Sequence, residues 1–122
     1  IEISGGVWDT TAEEGKSIQK GVPRKRPEGY FLHYAEQFTQ KVSAPVMAVG
    51  GIRSFDTAEA VISNGQAAMV SLSRPFICEP HLVKRWIDGD RAPAACVSCN
   101  RCLALTYRDG LQCFKKKKEA PD

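Results

Sequence analysis

Three cysteines at regular spacing, Cys96, Cys99 and Cys102, followed after ten residues by Cys113, are the residues of this chain best placed for chemistry. Three thiolates in one tight loop can wrap a corner of an iron-sulfur cubane while a fourth returns from a distance. Zinc sites more often draw on two separated Cys-x2-Cys pairs. The spacing therefore orders the readings as a [4Fe-4S] cluster, then thiols without a ligand, then zinc. The fifth cysteine, Cys78, stands outside the set and reads as a small buried hydrophobe. With no secretory signal visible in the sequence, clustered thiols point to a reducing compartment, the cytoplasm.

A second constellation joins Val49-Gly50-Gly51-Ile52 to Leu72-Ser73-Arg74-Pro75. If both segments close consecutive parallel strands, they are neighbours at one rim. Glycine lets backbone N–H groups approach a phosphate with no Cβ in the way, and an arginine beside them can pair with it. Alone, Gly50-Gly51 reads equally well as a tight turn and Arg74 as a surface ion pair. Their meeting at adjacent strand ends points to a phosphate, which barrels hold in this place.

The elements needed to position these groups are legible in the apolar pattern. Ile1-Glu2-Ile3 is a short strand stopped by Ser4-Gly5-Gly6. Residues 7–29 show no apolar period and carry Pro23, Pro27 and the triplet Arg24-Lys25-Arg26, so they read as a long connection of the lid or binding kind. Phe31, Tyr34, Ala35, Phe38 and Val42 fall on one helical face, with Glu36, Gln37 and Gln40 opposite. Val46-Met47-Ala48-Val49 is a continuous apolar run, as in a strand buried on both faces. Ser54 caps a helix through Ala58, Val61 and Ile62 that Gly65 stops, Ala67 to Leu72 is the next strand, and a last helix at Pro80 to Asp88 uses Leu82, Val83 and Trp86 before Gly89. Strands alternating with helices predict a parallel sheet with crossovers. The chain opens within a strand, and its 122 residues are about half of the ~250 that a closed eight-unit barrel uses, so the reading is the back end of a barrel with two unpaired sheet edges.

Composition narrows the function classes. The chain is 43% hydrophobic and 25% charged, and no apolar run approaches the ~18 residues of a membrane span. The net charge of +3 is dominated by Lys115 to Lys118, which leaves the body close to neutral. That run has no interleaved aromatics for base stacking, so it reads as a solvated basic tail, with neither nucleic acid nor membrane as partner.

Ile3-Ser4-Gly5-Gly6, Tyr30-Phe31-Leu32 with Tyr34-Ala35, Pro45-Val46-Met47-Ala48-Val49-Gly50-Gly51-Ile52, and Met69-Val70-Ser71-Leu72-Ser73-Arg74-Pro75-Phe76-Ile77 resemble the last three strand-helix units of the old yellow enzyme family, the FMN-dependent NADH:flavin oxidoreductases. The resemblance implies the C-terminal part, about strands six to eight, of an FMN-binding (β/α)8 barrel over residues 1–90, a four-cysteine cluster loop over 91–114 and a basic tail over 115–122. It places the FMN phosphate against Gly50, Gly51, Ser73 and Arg74, and puts Ser4 and Gly5 near the flavin or its ribityl chain. Ala68 departs from the family, which commonly carries an acidic residue there, a position of structural kind. The cysteine spacing is similar to the [4Fe-4S] loop of the trimethylamine dehydrogenase and 2,4-dienoyl-CoA reductase branch, which continues into further nucleotide-binding domains.

The resemblance implies hydride transfer from reduced flavin to an activated alkene of enoate or dienoyl type, with NAD(P)H as co-substrate. No residue here is assigned a catalytic role, because the family's substrate-anion pair and proton-donating Tyr come from strands preceding Ile1. His33, Tyr30 and Tyr34 lie on or beside an outer helix and read as packing or surface residues. The partners implied are a small-molecule substrate and the N-terminal half of the barrel. The alternatives are a non-catalytic four-cysteine metal-binding or interaction module, and a half-barrel that closes on a second copy.

Overall fold

The computed structural model describes residues 1–5, 27–103 and 110–119. Gly6, most of the long connection and the Arg24-Lys25-Arg26 triplet lie outside the described residues.

The three apolar runs become β1 (Glu2–Ile3), β2 (Met47–Val49) and β3 (Met69–Ser71), paired in parallel in the order β1-β2-β3. Ile3 faces Ala48 across one pair, and Ala48 faces Val70 across the other. Ile1 carbonyl accepts from Met47 N–H at 2.7 Å, extending the first pair. Central β2 is the best covered strand, with Val46 and Ala48 each 1% exposed, whereas Met69 on β3 is 46% exposed at an edge with no further strand among the described residues. Ala68, the departure noted above, is exposed, and its N–H donates to Val46 carbonyl.

Helix α1 (Leu32–Thr39) and helix α2 (Phe55–Ser63) follow β1 and β2. Ser54 caps α2 as expected, its Oγ accepting from Thr57 N–H, and Gly65 leaves it at a φ of 67°. Together the helices and sheet enclose Ile3, Ala35, Val46, Ala48, Val61 and Ala67, with Leu32, Val42 and Val70 packed at the margin. The expected helix faces are only partly covered. Ala35 is fully buried, but Tyr34 and Phe38 on α1 and Ile62 on α2 are exposed. A three-stranded sheet spans only about 15 Å, little more than one helix diameter, so it cannot cover the flanks of two helices.

Past β3 the chain makes a five-residue helix that the apolar pattern did not announce, α3 (Arg74–Cys78), opened by Pro75 in its first turn. Helix α4 (Leu82–Ile87) buries Leu82 and Trp86 but turns Val83 outward, contrary to the predicted face. Leu82, Trp86 and Ala94 form a second core that Phe55, Leu72 and Phe76 join. Trp86 Nε1 donates to Ala92 carbonyl at 3.0 Å, which folds the segment leading to the cysteines back onto α4. The lysine run falls in a further helix, α5 (Phe114–Glu119), where Phe114 takes the Arg101 guanidinium 4.4 Å over its ring.

Candidate functional site

The C-terminal ends of the parallel strands converge on one cavity of about 130 Å³. Ser4 follows β1, Gly50 and Gly51 follow β2, and Ser73 and Arg74 follow β3, and all five line it. Side chains and turns beyond strand C-termini are where parallel α/β sheets bind ligands. Gly50 at φ 128° and Gly51 at φ 73° take a backbone course that other residues adopt only with strain. A Cβ on Gly50 would also stand 2.9 Å from the Phe31 ring. Gly5 is not among the lining residues; it stands one layer back, where a Cβ would meet the same ring at 3.1 Å. Both glycines thus admit Phe31, which is 7% exposed and lines the cavity.

Two arginines, Arg53 and Arg74, line the cavity, and among the described residues no carboxylate does. The chemistry on offer is the binding of an anion. Arg53 was not singled out in the sequence, though a cation two residues past a double glycine at a strand end was the available signal. Its backbone N–H donates to Glu28 Oε2, its Nη2 donates to Ala94 carbonyl, and its carbonyl accepts from Ala94 N–H. Its buried Nε has no acceptor among the described residues. The second omission is Tyr30, which also lines the cavity and whose N–H donates to Gly50 carbonyl at 3.2 Å. It stands just before α1 and packs edge-on against Phe31. His33 and Tyr34 do sit exposed on α1.

The four cysteines of the spaced set, Cys96, Cys99, Cys102 and Cys113, line a second, smaller cavity of about 20 Å³. They face the same space, but among the described residues no three Cys, His, Asp or Glu side chains converge as the ligands of a single ion. Zn–S bonds of about 2.3 Å would hold tetrahedral sulfurs within about 4 Å of one another. Ser98 N–H donates to Cys96 Sγ at 3.5 Å. Burial pushes the Cys102 thiol up, and the nearby Cys96 and Cys99 add to this against the opposing Leu103 N–H and Arg74. Cys78 is buried as expected, yet it is no bystander in position. Its thiol is pushed up to about 12, by burial first and then by its hydrogen bond to Cys113.

The segment carrying these cysteines is tied down at three places. Arg53 and Ala94 exchange the bonds given above, Ala95 N–H donates to Glu79 Oε2 at 2.6 Å, and Arg74 Nη1 donates to Asn100 Oδ1 at 2.5 Å. Glu79 is itself held by Arg85 at 3.2 Å.

Residues 8–91 match the profile of the NADH:flavin oxidoreductase / NADH oxidase family. The chain is similar to a 4,4'-dithiodibutanoate disulfide reductase of Rhodococcus erythropolis, at 32% identity over 77% of the chain and 24% of the relative. It is similar also to an NADH oxidase of Thermoanaerobacter brockii, at 33% over 80% of the chain and 18% of the relative. A bilirubin reductase of Mediterraneibacter gnavus is 35% identical over 72% of the chain and 14% of the relative. The chain therefore spans about a quarter or less of the length of these curated relatives.

Proposed function

The chain belongs to the NADH:flavin oxidoreductase / NADH oxidase family, and from that premise we propose that it forms the phosphate-binding end and the cysteine loop of an FMN-dependent oxidoreductase. The family implies a (β/α)8 barrel, in which β1, β2 and β3 are read as strands six, seven and eight. The strand-helix units that precede them complete the sheet and carry the catalytic groups. A second copy pairing along the open edges is the competing way to close it.

One observation carries the reading. Ser4, Gly50, Gly51, Ser73 and Arg74, from three separate strand ends, wall one cavity with a second arginine and, among the described residues, no carboxylate. Its volume of about 130 Å³ falls below the ~300–1,000 Å³ of sites that enclose a whole drug-sized ligand. It suits the phosphate and the start of the ribityl chain, and leaves the ring to the rest of the site. Arg74 and Arg53 bring the positive charge that a phosphate needs, and the two glycines let backbone approach it closely. Phe31 and Tyr30 supply an aromatic part of the cavity wall.

When bound, FMN supplies hydride transfer at its ring, from NAD(P)H to an electrophilic carbon such as that of an activated alkene of enoate or dienoyl type. The names of the relatives point to a disulfide and to bilirubin as substrates of those proteins, so the substrate is set by groups outside the strand ends described here. Cys96, Cys99, Cys102 and Cys113 would hold a [4Fe-4S] cluster; their sequence spacing and their place about one cavity support that reading. We assign the protein to the cytoplasm on its thiols; no helix among the described residues is long and apolar enough to cross a membrane.

The test is flavin binding by the intact protein. Arg74→Gln is expected to weaken FMN about tenfold to a hundredfold, the worth of a charge-assisted bond to phosphate. A parent protein that purifies without flavin and takes up none in titration would leave the metal-module alternative in its place.

A further inference from the structure

The two cavities share a wall, and part of that wall comes from the cysteine loop. Ser98, between Cys96 and Cys99, is 5% exposed and lines the arginine cavity with Ser73 and Arg74. Arg74 lines both cavities, and its Nη1 donates to Asn100 Oδ1 at 2.5 Å across 26 positions of sequence. Among the described residues, the non-glycine positions with positive φ are Ser98 at 51° and Asn100 at 60°, on either side of Cys99. A left-handed backbone at such residues persists only where surrounding contacts hold it. Here those contacts run from Ser98 N–H to Cys96 Sγ and from Asn100 to Arg74. Asparagine takes this backbone more readily than serine, so Ser98 is the position whose form most needs those contacts.

We propose that the cysteine loop is part of the flavin phosphate site, with Ser98 facing the phosphate and Asn100 a positioning residue that holds the Arg74 guanidinium ready to meet it. This rests on the flavin reading above and adds a coupling between the two cavities. An arginine side chain loses rotamer freedom on binding an anion, and an acceptor that fixes it beforehand removes part of that loss. Because coupling is reciprocal, whatever orders the loop around its thiols tightens FMN, and bound FMN orders the loop.

The experiment measures dissociation constants for FMN and riboflavin on the intact protein by flavin fluorescence. Asn100→Gly keeps the left-handed backbone and deletes the acceptor; it is expected to weaken FMN about tenfold and riboflavin by less than about twofold, since riboflavin has no phosphate. Ser98→Ala, which leaves the Arg74–Asn100 bond in place, is expected to weaken FMN about threefold or more with the same spared riboflavin. In an Arg74→Gln background the effect of Asn100→Gly on FMN should vanish, because the two act through one contact. Equal losses for the two flavins, additive losses in the double variant, or an Asn100→Gly protein that binds FMN like its parent would each overturn the coupling. A parent that binds neither flavin overturns the flavin reading itself, a result distinct from the other three.

Discussion

Gly50 has two reasons to be glycine, and they can be separated by substitution. Its φ is 128°, and a Cβ there would sit 2.9 Å from Phe31 Cδ2 and 3.2 Å from Tyr30 Cε2. Gly65 has a φ of 67° but nothing within 4 Å of the place a Cβ would take. Gly65→Ala should therefore cost about 1 kcal/mol of left-handed strain, while Gly50→Ala adds displacement of two rings and should cost about 2–4 kcal/mol. Thermal or denaturant melts of the two variants check the order; equal costs would show that ring contact is not what reserves position 50. The thiols offer a second comparison at this scale. Cys99 is exposed, whereas Cys78 is 4% exposed with its pKa pushed to about 12. A thiol whose pKa is raised carries less thiolate at neutral pH, and thiolate is the reacting form. With the thiols reduced and unligated, timed alkylation at neutral pH followed by peptide mass spectrometry should label Cys99 first and Cys78 last. Comparable rates at the two would contradict the placement of Cys78 against Cys113.

Every strand and helix that the apolar pattern announced is present, because runs such as Val46 to Val49 and caps such as Ser54 act locally. What the pattern did not carry is instructive. Helix α3 is five residues long, shorter than two turns, so no period can reveal it; it follows from Pro75 pre-setting the first turn. Val83 and Ile62 were assigned to buried faces and are exposed, since spacing fixes which residues share a stripe but not how wide a neighbour covers it. Of the six positions proposed to bind flavin, Ser4, Gly50, Gly51, Ser73 and Arg74 line the cavity, whereas Gly5 stands behind it against Phe31. Arg53 was legible as a cation two residues past the double glycine; Tyr30 and Ser98 were not, because each reaches the cavity through tertiary folding of a different segment. Element packing also makes a prediction. Leu82 is completely buried in the core that holds Ala94 in place, and Leu82→Ala should cost about 2–5 kcal/mol. Since Ala94 and Ala95 anchor the cysteine loop, that variant should also weaken FMN in titration at a temperature where it remains folded. Undiminished FMN affinity alongside a lowered melting temperature would mean that the loop holds its place without this core.

Over the molecule as described, three parallel strands bring their C-terminal ends to an arginine-lined cavity on one side and to four thiols behind it. The apolar residues left exposed include Met69 on an edge strand and Tyr34 and Phe38 on α1. The chain itself covers about a quarter or less of the length of the relatives compared. The account makes this region the holder of the cofactor's charged end and leaves substrate chemistry to the remainder of the site. The measurement that tests it most directly is a crystal structure of the intact protein with FMN. The account predicts the phosphate among Gly50, Gly51, Ser73 and Arg74, with Ser98 in contact. A phosphate bound elsewhere, with this cavity holding only solvent, would contradict it.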